Sequence, residues 1–251
     1  MKKIKDILNF TETFAPLNSA MDFDNVGLLI GSEDAEVTKA VVALDITDEV
    51  IDEALKNSAQ LIISHHPVIF EPLKNIARDS VVYRLIENNL NALCLHTNLD
   101  LSESFGVNTC LAEAVGVKNI KLVEGECLFV GELENETSNF EFAGSVKKAL
   151  NCNGIRFTLK DKKIKKIAIC SGSGGDYAPL AKSLGADALL TGEIKHHEIL
   201  DAVKHDIAVV DAGHFKSENI VIKPLTKKLN EEFSDVEFIE SVSCTDTIEY
   251  L

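Results

Sequence analysis

The spacing of apolar and polar positions predicts alternating helices and strands over the first hundred residues. An amphipathic helix is predicted over 4–17, IKDILNFTETFAPL, with Pro16 marking its end. The next helical pattern, TDEVIDEALKN, begins with Thr47 as the expected N-cap. Apolar strands are predicted at AVVALDI (40–46), QLIIS (60–64) and ALCLH (92–96), with a further helix at SVVYRLIENN (80–89). This order predicts a parallel sheet with right-handed crossovers.

The second half of the chain repeats this pattern after an interruption. The segment 120–165 has short apolar pieces, KLVEGECLFVGEL and GIRFTLK, which favour an antiparallel region or hairpins. Strands then follow at IKKIAICS, ADALLTG and DIAVVDAG, separated by the helical patterns DYAPLAKSLG and IKHHEILDAVKH. We therefore expect an α/β protein with two domains whose largely parallel sheets are flanked by helices. The first domain is placed at 1–122 plus about 212–251, and the second at about 123–211.

Composition limits the classes of function. The chain has 251 residues, with 40 acidic and 25 basic side chains and a formal charge of -15, which argues against broad nucleic-acid binding. The basic run KDKKIKK is interpreted as a solvated turn rather than a phosphate patch. The six cysteines are scattered without a CxxC pair. Because no signal peptide is recognised and no apolar run approaches the roughly 18 residues of a membrane helix, we expect a soluble cytoplasmic protein with no membrane partner.

Metal-ligand side chains follow three of the predicted strands. Pro67 comes directly after a histidine pair and is expected to end the strand, so that both rings can turn toward the sheet edge. His214 and Glu218 are four residues apart and would share one face of a helix. In open parallel sheets, ligands bind at the carboxyl ends of strands. The side chains concerned are His65 and His66, His96 and Asp100, and His214 and Glu218.

Two interpretations of these side chains are compatible with the residues alone. Imidazoles and carboxylates gathered at one edge could hold divalent metal ions. They could equally form a hydrogen-bonded polar network without metal, which is the commoner fate of a histidine at the end of a strand.

Several motifs together resemble one known family. SHHPVIF, HTNLD, TGEIKHHE and DAGHFKSEN, in that order and with FDNVGLLIG near the start, resemble the GTP cyclohydrolase 1 type 2 homologue family, also called the NIF-three-like family. The resemblance covers nearly the whole chain. It implies a two-domain α/β fold, a toroidal homohexamer and a dinuclear metal centre facing the internal cavity. Because 120–165 leaves little room for an inserted middle domain, the chain resembles the short form.

The resemblance also implies which residues bind metal. The implied ligands are His65, His66, Asp100, His214 and Glu218, most of them in the first predicted domain. As a hypothesis, His65 and Asp100 bind one ion, His66 and His214 bind the other, and Glu218 bridges them. His96 is expected to orient a ligand. Zinc, iron, manganese, nickel and cobalt all suit such a ligand set.

Two further motifs have open interpretations. In TGEIKHHE, Glu193, His196 and His197 are expected near one another on a helix. They could form a rival metal site or an inert polar face, but the match to a family motif favours a role in substrate contact or proton transfer. In SGSGGDYAPL, the glycines form either a tight turn or a phosphate contact.

The function implied by the resemblance is hydrolytic. Two divalent ions can activate water, and the family name implies that GTP and water give formate and 7,8-dihydroneopterin triphosphate. A metal-dependent phosphoesterase or nucleotidase is one alternative. A metal-binding hexameric scaffold without catalytic activity is another. The expected partners are other copies of the chain and a small-molecule substrate, with a nucleotide as the candidate.

Overall fold

Two separate β-sheets organise the protein, one of five strands and one of six. The structure is a computed structural model that describes residues 1–251. The chain divides into two compact units, each made of two stretches of sequence. The first unit comprises Met1–Leu99 and Val221–Thr245, and the second comprises Asp100–Ile220 and Asp246–Leu251. The five-stranded sheet belongs to the first unit and the six-stranded sheet to the second.

The first unit has a mainly parallel sheet. Its strands are β1 (Lys2–Lys3), β2 (Gly27–Ile30), β3 (Glu36–Val37), β4 (Lys39–Ala43), β5 (Leu61–Ser64), β6 (Asn91–Cys94) and, near the end of the chain, β13 (Glu237–Glu240). Its helices are α1 (Ile4–Thr11), α2 (Asp48–Lys56), α3 (Val81–Glu87) and α10 (Ile222–Glu232). The five-stranded order is β13-β4-β5-β6-β2, parallel except for β2. β1 and β3 form a separate antiparallel pair.

Local sequence signals account for the start and end of two helices. Thr47 caps α2 as expected, since its side chain accepts a hydrogen bond from the amide of Val50 at 3.3 Å. α1 is shorter than predicted and ends at Thr11. The amide of Leu17 bonds to the carboxylate of Glu12 instead of continuing a helix, so the chain turns before it reaches Pro16.

The second unit has a mixed sheet. Its strands are β7 (Val117–Leu122), β8 (Phe129–Ser138), β9 (Arg156–Phe157), β10 (Lys163–Cys170), β11 (Ala188–Thr191) and β12 (Ala208–Asp211). A short helix, α4 (Thr97–Asp100), leads into the unit, which contains α5 (Val107–Val115), α6 (Asn139–Ala149), α7 (Ala178–Ser183), α8 (His196–Lys204) and α9 (His214–Glu218). The order is β7-β8-β10-β11-β12-β9. β10, β11 and β12 are parallel, and the antiparallel region expected in the middle of the sequence is confirmed by β7 and β8.

The structure draws the boundary between the units in a different place from the sequence. β7 pairs with β8, so 117–122 belongs to the second sheet rather than to the first domain. The 212–220 segment, which includes α9, also belongs to the second unit. Of the implied metal ligands, His65 and His66 therefore lie in the first unit, and the other three lie in the second.

Buried apolar strands form the cores of both units. Every residue of β5 and β6 is buried, which explains why these strands lack an apolar and polar alternation. In the second unit, β11 and β12 are buried in the same way. None of the helices is both long enough and apolar enough to span a bilayer.

Candidate metal centre

The paired histidines follow the end of β5, as the sequence predicted. The amides of His65 and His66 bond to the carbonyls of Ala43 and Leu44, so the backbone stays beside the preceding parallel strand. The hydroxyl of Ser64 donates to the carbonyl of His66 at 2.8 Å. These bonds fix the backbone of both histidines at the carboxyl end of the first sheet. Their ring centroids lie 5.1 Å apart.

Three imidazoles gather at this end of the first unit. His65, His66 and His96 each offer a ligand atom, and these atoms lie within 4.8 Å of one another. In each ring, Nδ1 lies at hydrogen-bond distance from an oxygen that accepts. Nδ1 therefore carries the proton and Nε2 the lone pair, which is the tautomer that binds a metal through Nε2. The acceptors are the Leu95 carbonyl (2.8 Å), Asp45 Oδ1 (2.7 Å) and Asp24 Oδ1 (2.8 Å), respectively.

Asp24 is the buried anchor of His96. Its side chain is fully buried, and its second oxygen accepts hydrogen bonds from the amide and hydroxyl of Thr97. Burial raises the pKa of Asp24, but the hydrogen bonds from His96 and Thr97 outweigh this effect and lower the pKa to about 2. Asp24 is therefore ionised at neutral pH and orients the His96 ring.

The second unit contains a histidine and carboxylate pair on α9. This helix begins at His214 and ends at Glu218, and the two side chains share one face, as their spacing predicted. His214 Nε2 lies 3.0 Å from Glu218 Oε2. Glu218 is buried, and a buried carboxylate is costly unless it is paired or binds a metal ion.

Two glycines allow α9 to lie against the ends of β10 and β11. Gly172 has φ +58°, and a Cβ placed there would lie 2.0 Å from Glu218 Oε1. A Cβ on Gly192 would lie 2.2 Å from Ser217 Oγ. The amide of Gly172 also donates to Ser217 Oγ at 3.0 Å. Gly172 is therefore needed for both the turn and the close approach of Glu218, which gives the SGSGG motif a structural role.

Glu193 contacts a proposed metal ligand instead of sharing a helix with the histidines that follow it. Its carboxylate lies 3.1 Å from His214 Nδ1. The expected helical cluster of Glu193, His196 and His197 is wrong in this respect, because α8 begins only at His196 and Lys195 has extended backbone angles. Both following histidines are exposed in the first turn of α8. Their role in catalysis stays a prediction.

Asp100 lies in an acidic and buried part of the second unit. Its carbonyl accepts a hydrogen bond from Asn108 Nδ2 at 3.2 Å. The pKa of the nearby Cys127 thiol is raised, first by its hydrogen bond with Cys170, then by burial, and further by the negative charges of Asp100 and Glu218. Cys127 therefore keeps its proton at neutral pH, and the ligand chemistry of this region is that of carboxylates and imidazoles.

Both units thus contain side chains that could hold a metal ion. The fit is chemical as well as spatial. The imidazoles of the first unit are held in the metal-binding tautomer. Gly172 lies beside the carboxylate of Glu218, at a position where a larger residue would displace that carboxylate. Nitrogen and oxygen donors of this kind suit zinc, iron, manganese, nickel and cobalt. The sequence did not indicate the contacts of Asp24 with His96, of Asp45 with His66 or of Glu193 with His214, because each pair is separated by at least 21 residues.

The fold and these side chains define an α/β protein with groups that could bind a divalent metal. The family described as Duf34/NIF3 (NGG1p interacting factor 3) matches residues 2–247, and the chain belongs to this family. A GTP cyclohydrolase 1 type 2 homolog from Clostridium perfringens is 37% identical over 262 residues, covering 99% of this chain and 100% of the relative. A protein of the same name from Clostridium acetobutylicum is 37% identical over 240 residues, covering 90% of this chain and 89% of the relative.

Solved structures share the fold. Staphylococcus aureus hypothetical protein SA1388 superimposes with a TM-score of 0.92 at 32% identity, covering 99% of both chains. Reduced HcgD from Methanocaldococcus jannaschii has a TM-score of 0.82 at 30% identity, covering 95% of this chain and 97% of the other. The alignment with a GTP cyclohydrolase 1 type 2 homolog of Staphylococcus aureus spans 367 positions and covers 99% of this chain and 100% of the relative. The relative is therefore longer than this chain of 251 residues. The predicted resemblance to the short form is confirmed.

Proposed function

We propose that the protein is a metal-dependent hydrolase with two divalent ions. In this proposal, His65 and Asp100 would hold one ion, His66 and His214 would hold the other, and Glu218 would supply its carboxylate to both. The observation that carries the proposal is shared by three of these ligands, His65, His66 and His214. Each presents Nδ1 to an oxygen, from Leu95, Asp45 and Glu193 respectively. This arrangement is typical of histidines that bind metal through Nε2.

The residues of the chain prepare the site for hydrolysis. Two bound divalent ions would supply an activated water and stabilise the negative charge that develops during its attack. Asp45 and Glu193 orient the imidazoles of His66 and His214, and the buried Glu218 provides negative charge for the ions. Glu193, His196 and His197 are proposed to contact the substrate or transfer protons during the reaction.

We propose GTP as the substrate, because several relatives are named GTP cyclohydrolase 1 type 2 homolog. The reaction would convert GTP and water into formate and 7,8-dihydroneopterin triphosphate. The imidazole and carboxylate groups are not specific for guanine, so the choice of substrate rests on those names. The same donor groups would also suit a phosphoesterase or nucleotidase.

The proposal extends to assembly and location. We propose that six copies form a ring, as the family resemblance implies. We also propose a cytoplasmic protein. Its six free cysteines fit a reducing compartment.

The test separates the two hydrolytic reactions. Protein purified without added metal is analysed for its metal content and then loaded separately with zinc, iron, manganese, nickel or cobalt. Each form is incubated with GTP, and formate and inorganic phosphate are assayed independently. We expect formate with the triphosphate intact, and no formate from Glu218→Gln. Phosphate release would favour the phosphoesterase. If neither product appears with any metal, the hydrolase proposal is wrong and the non-catalytic scaffold is favoured.

A further inference from the structure

Two phenylalanine rings of the first unit are exposed beside one another. Phe23 is 63% exposed and Phe70 is 47% exposed. Their ring centroids lie 6.3 Å apart with an interplanar angle of 57°. This separation is within the range of aromatic pairs, yet much of each ring faces solvent. The two rings therefore present an aromatic surface that could take a third ring.

The loops that carry the two phenylalanines are tied together. Asn25 Nδ2 donates to the carbonyl of Ile69 at 2.6 Å, which joins the residues next to Phe23 and Phe70. Asp24 is anchored by its hydrogen bonds to His96 and Thr97. The aromatic pair is thus preorganised, because both loops are held by polar contacts adjacent to the rings.

The aromatic pair continues directly into the histidine cluster. The rings of Phe70 and His96 form a T-shaped pair, with centroids 6.3 Å apart and an interplanar angle of 84°. The His96 ring centroid lies 5.2 Å from that of His65 and 5.7 Å from that of His66. A flat group placed on the phenylalanines would therefore lie near His96, whose ring adjoins two proposed metal ligands.

We infer that Phe23 and Phe70 form a stacking subsite for the planar heteroaromatic ring of a small-molecule substrate. Aromatic side chains bind such rings through their faces, with little dependence on the ring substituents. The subsite places the ring beside the imidazoles of the first unit. The inference rests on the proposed function. It deepens that function by naming the residues that hold the ring of the substrate.

Solvent access to the histidines favours a small molecule over a second copy of the chain. His66 and His96 both keep part of their side chains exposed. A protein partner that covered Phe23 and Phe70 would also bury the adjoining His96 and restrict access to the cluster. A flat small molecule covers the rings while it brings its own reacting atoms toward the imidazoles.

The second unit offers a matched control pair. Phe140 and Phe157 are 60% and 36% exposed, and their centroids lie 5.8 Å apart at an angle of 60°. Their exposure and geometry are similar to those of the first pair. They belong to the second unit, whereas the three-histidine cluster belongs to the first. Phe140→Ala therefore removes an exposed aromatic ring without altering the proposed subsite.

The test is a nuclear magnetic resonance titration of the full-length, metal-loaded protein with GTP, guanosine, adenosine and pterin. Saturation transfer to the ring protons reports binding, and the formate signal in the spectra with GTP reports turnover. We expect Kd to rise about tenfold in Phe23→Ala and in Phe70→Leu, which keeps an apolar side chain but has no ring. Phe23→Tyr and Phe140→Ala should bind as the unaltered protein does. Metal content should be the same in all variants.

The possible outcomes separate the inference from the proposed function. Ring binding that depends on Phe23 and Phe70, without any formate from GTP, supports the subsite and contradicts the cyclohydrolase reaction. Formate release that is unchanged in both variants contradicts the subsite alone. If none of the four compounds binds the unaltered protein, the inference is wrong. If the substitutions change the assembled mass measured by light scattering and leave ring binding intact, the rings form a contact between copies instead.

Discussion

At the scale of single residues, oxygen acceptors determine how the histidines present their nitrogens. His65 meets a backbone carbonyl, whereas His66 and His96 meet the carboxylates of Asp45 and Asp24. His65 and His66 could be recognised from the sequence, because they follow an apolar strand and precede Pro67. Their acceptors could not, because hydrogen bonds between residues 21 to 72 positions apart leave no local pattern.

Removing the acceptor of His66 should weaken metal binding. In Asp45→Ala, the imidazole loses the carboxylate that fixes its tautomer and orientation, so we expect metal affinity to fall about 10- to 100-fold. Competition with a chromophoric chelator measures this change. Asp52→Ala is the control. Asp52 lies on helix α2, is exposed and pairs with Arg84 of helix α3. Equal affinities in the two variants would contradict the role given to Asp45.

Asp24 should make folding stability depend on pH in the acidic range. Its pKa is about 2 in the folded chain, below the ordinary 3.8, so its ionised form stabilises the folded state. This contribution is fully present above about pH 4 and is lost as the pH falls toward 2. Asp24→Asn should lower the free energy of unfolding by about 2 kcal/mol at pH 7.

Urea unfolding at several pH values measures this effect. The difference between Asp24→Asn and the unaltered protein should shrink between pH 4 and pH 2. A difference that stays constant over this interval would contradict the assigned pKa.

At the scale of elements, the strength of the local pattern decided what the sequence could predict. β5 and β6 are short apolar runs between turn signals, and both were predicted within a few residues. α5, α6, α10 and β13 were missed. α6 had a usable signal, because Ser138 and Glu141 form a capping box at its start. The approach of α9 to Gly172 depends on tertiary packing and has no local signal.

Gly172 should be essential for the position of Glu218. In Gly172→Ala, the new Cβ would overlap Glu218 Oε1, so we expect the carboxylate to move and metal content to fall. The positive φ adds about 1–2 kcal/mol of strain. Gly116→Ala is the matched control, since Gly116 has φ +76° with nothing within 4 Å of the added Cβ.

Elemental analysis and thermal unfolding distinguish the two glycine effects. Both variants should be destabilised, but only Gly172→Ala should lose metal. Full metal content in Gly172→Ala would show that the close approach to Glu218 is not required.

At the scale of the whole molecule, strand pairing rather than sequence order sets the division into units. The predicted discontinuous first domain resembles the observed first unit, which also returns at the end of the chain. The first stretch of this unit ends at Leu99 rather than at 122, and the second begins at Val221 rather than at about 212. The pairing of β7 with β8 joins residues whose sequence pattern did not indicate the sheet to which they belong.

The assembly can be tested without any assumption about activity. If six copies form a ring, light scattering at micromolar concentration should give a mass six times that of one chain. The same mass is expected after metal removal if subunit contacts, rather than the ions, hold the ring together. A monomeric or dimeric mass would contradict the proposed hexamer.

Five side chains are proposed to bind two divalent ions. Anomalous X-ray diffraction, recorded on either side of the absorption edge of the metal found by elemental analysis, tests this most directly. We expect two anomalous peaks, one beside His65 and Asp100 and the other beside His66 and His214, with Glu218 near both. Metal peaks at other residues, or crystals without a peak at these five side chains after metal loading, would contradict it.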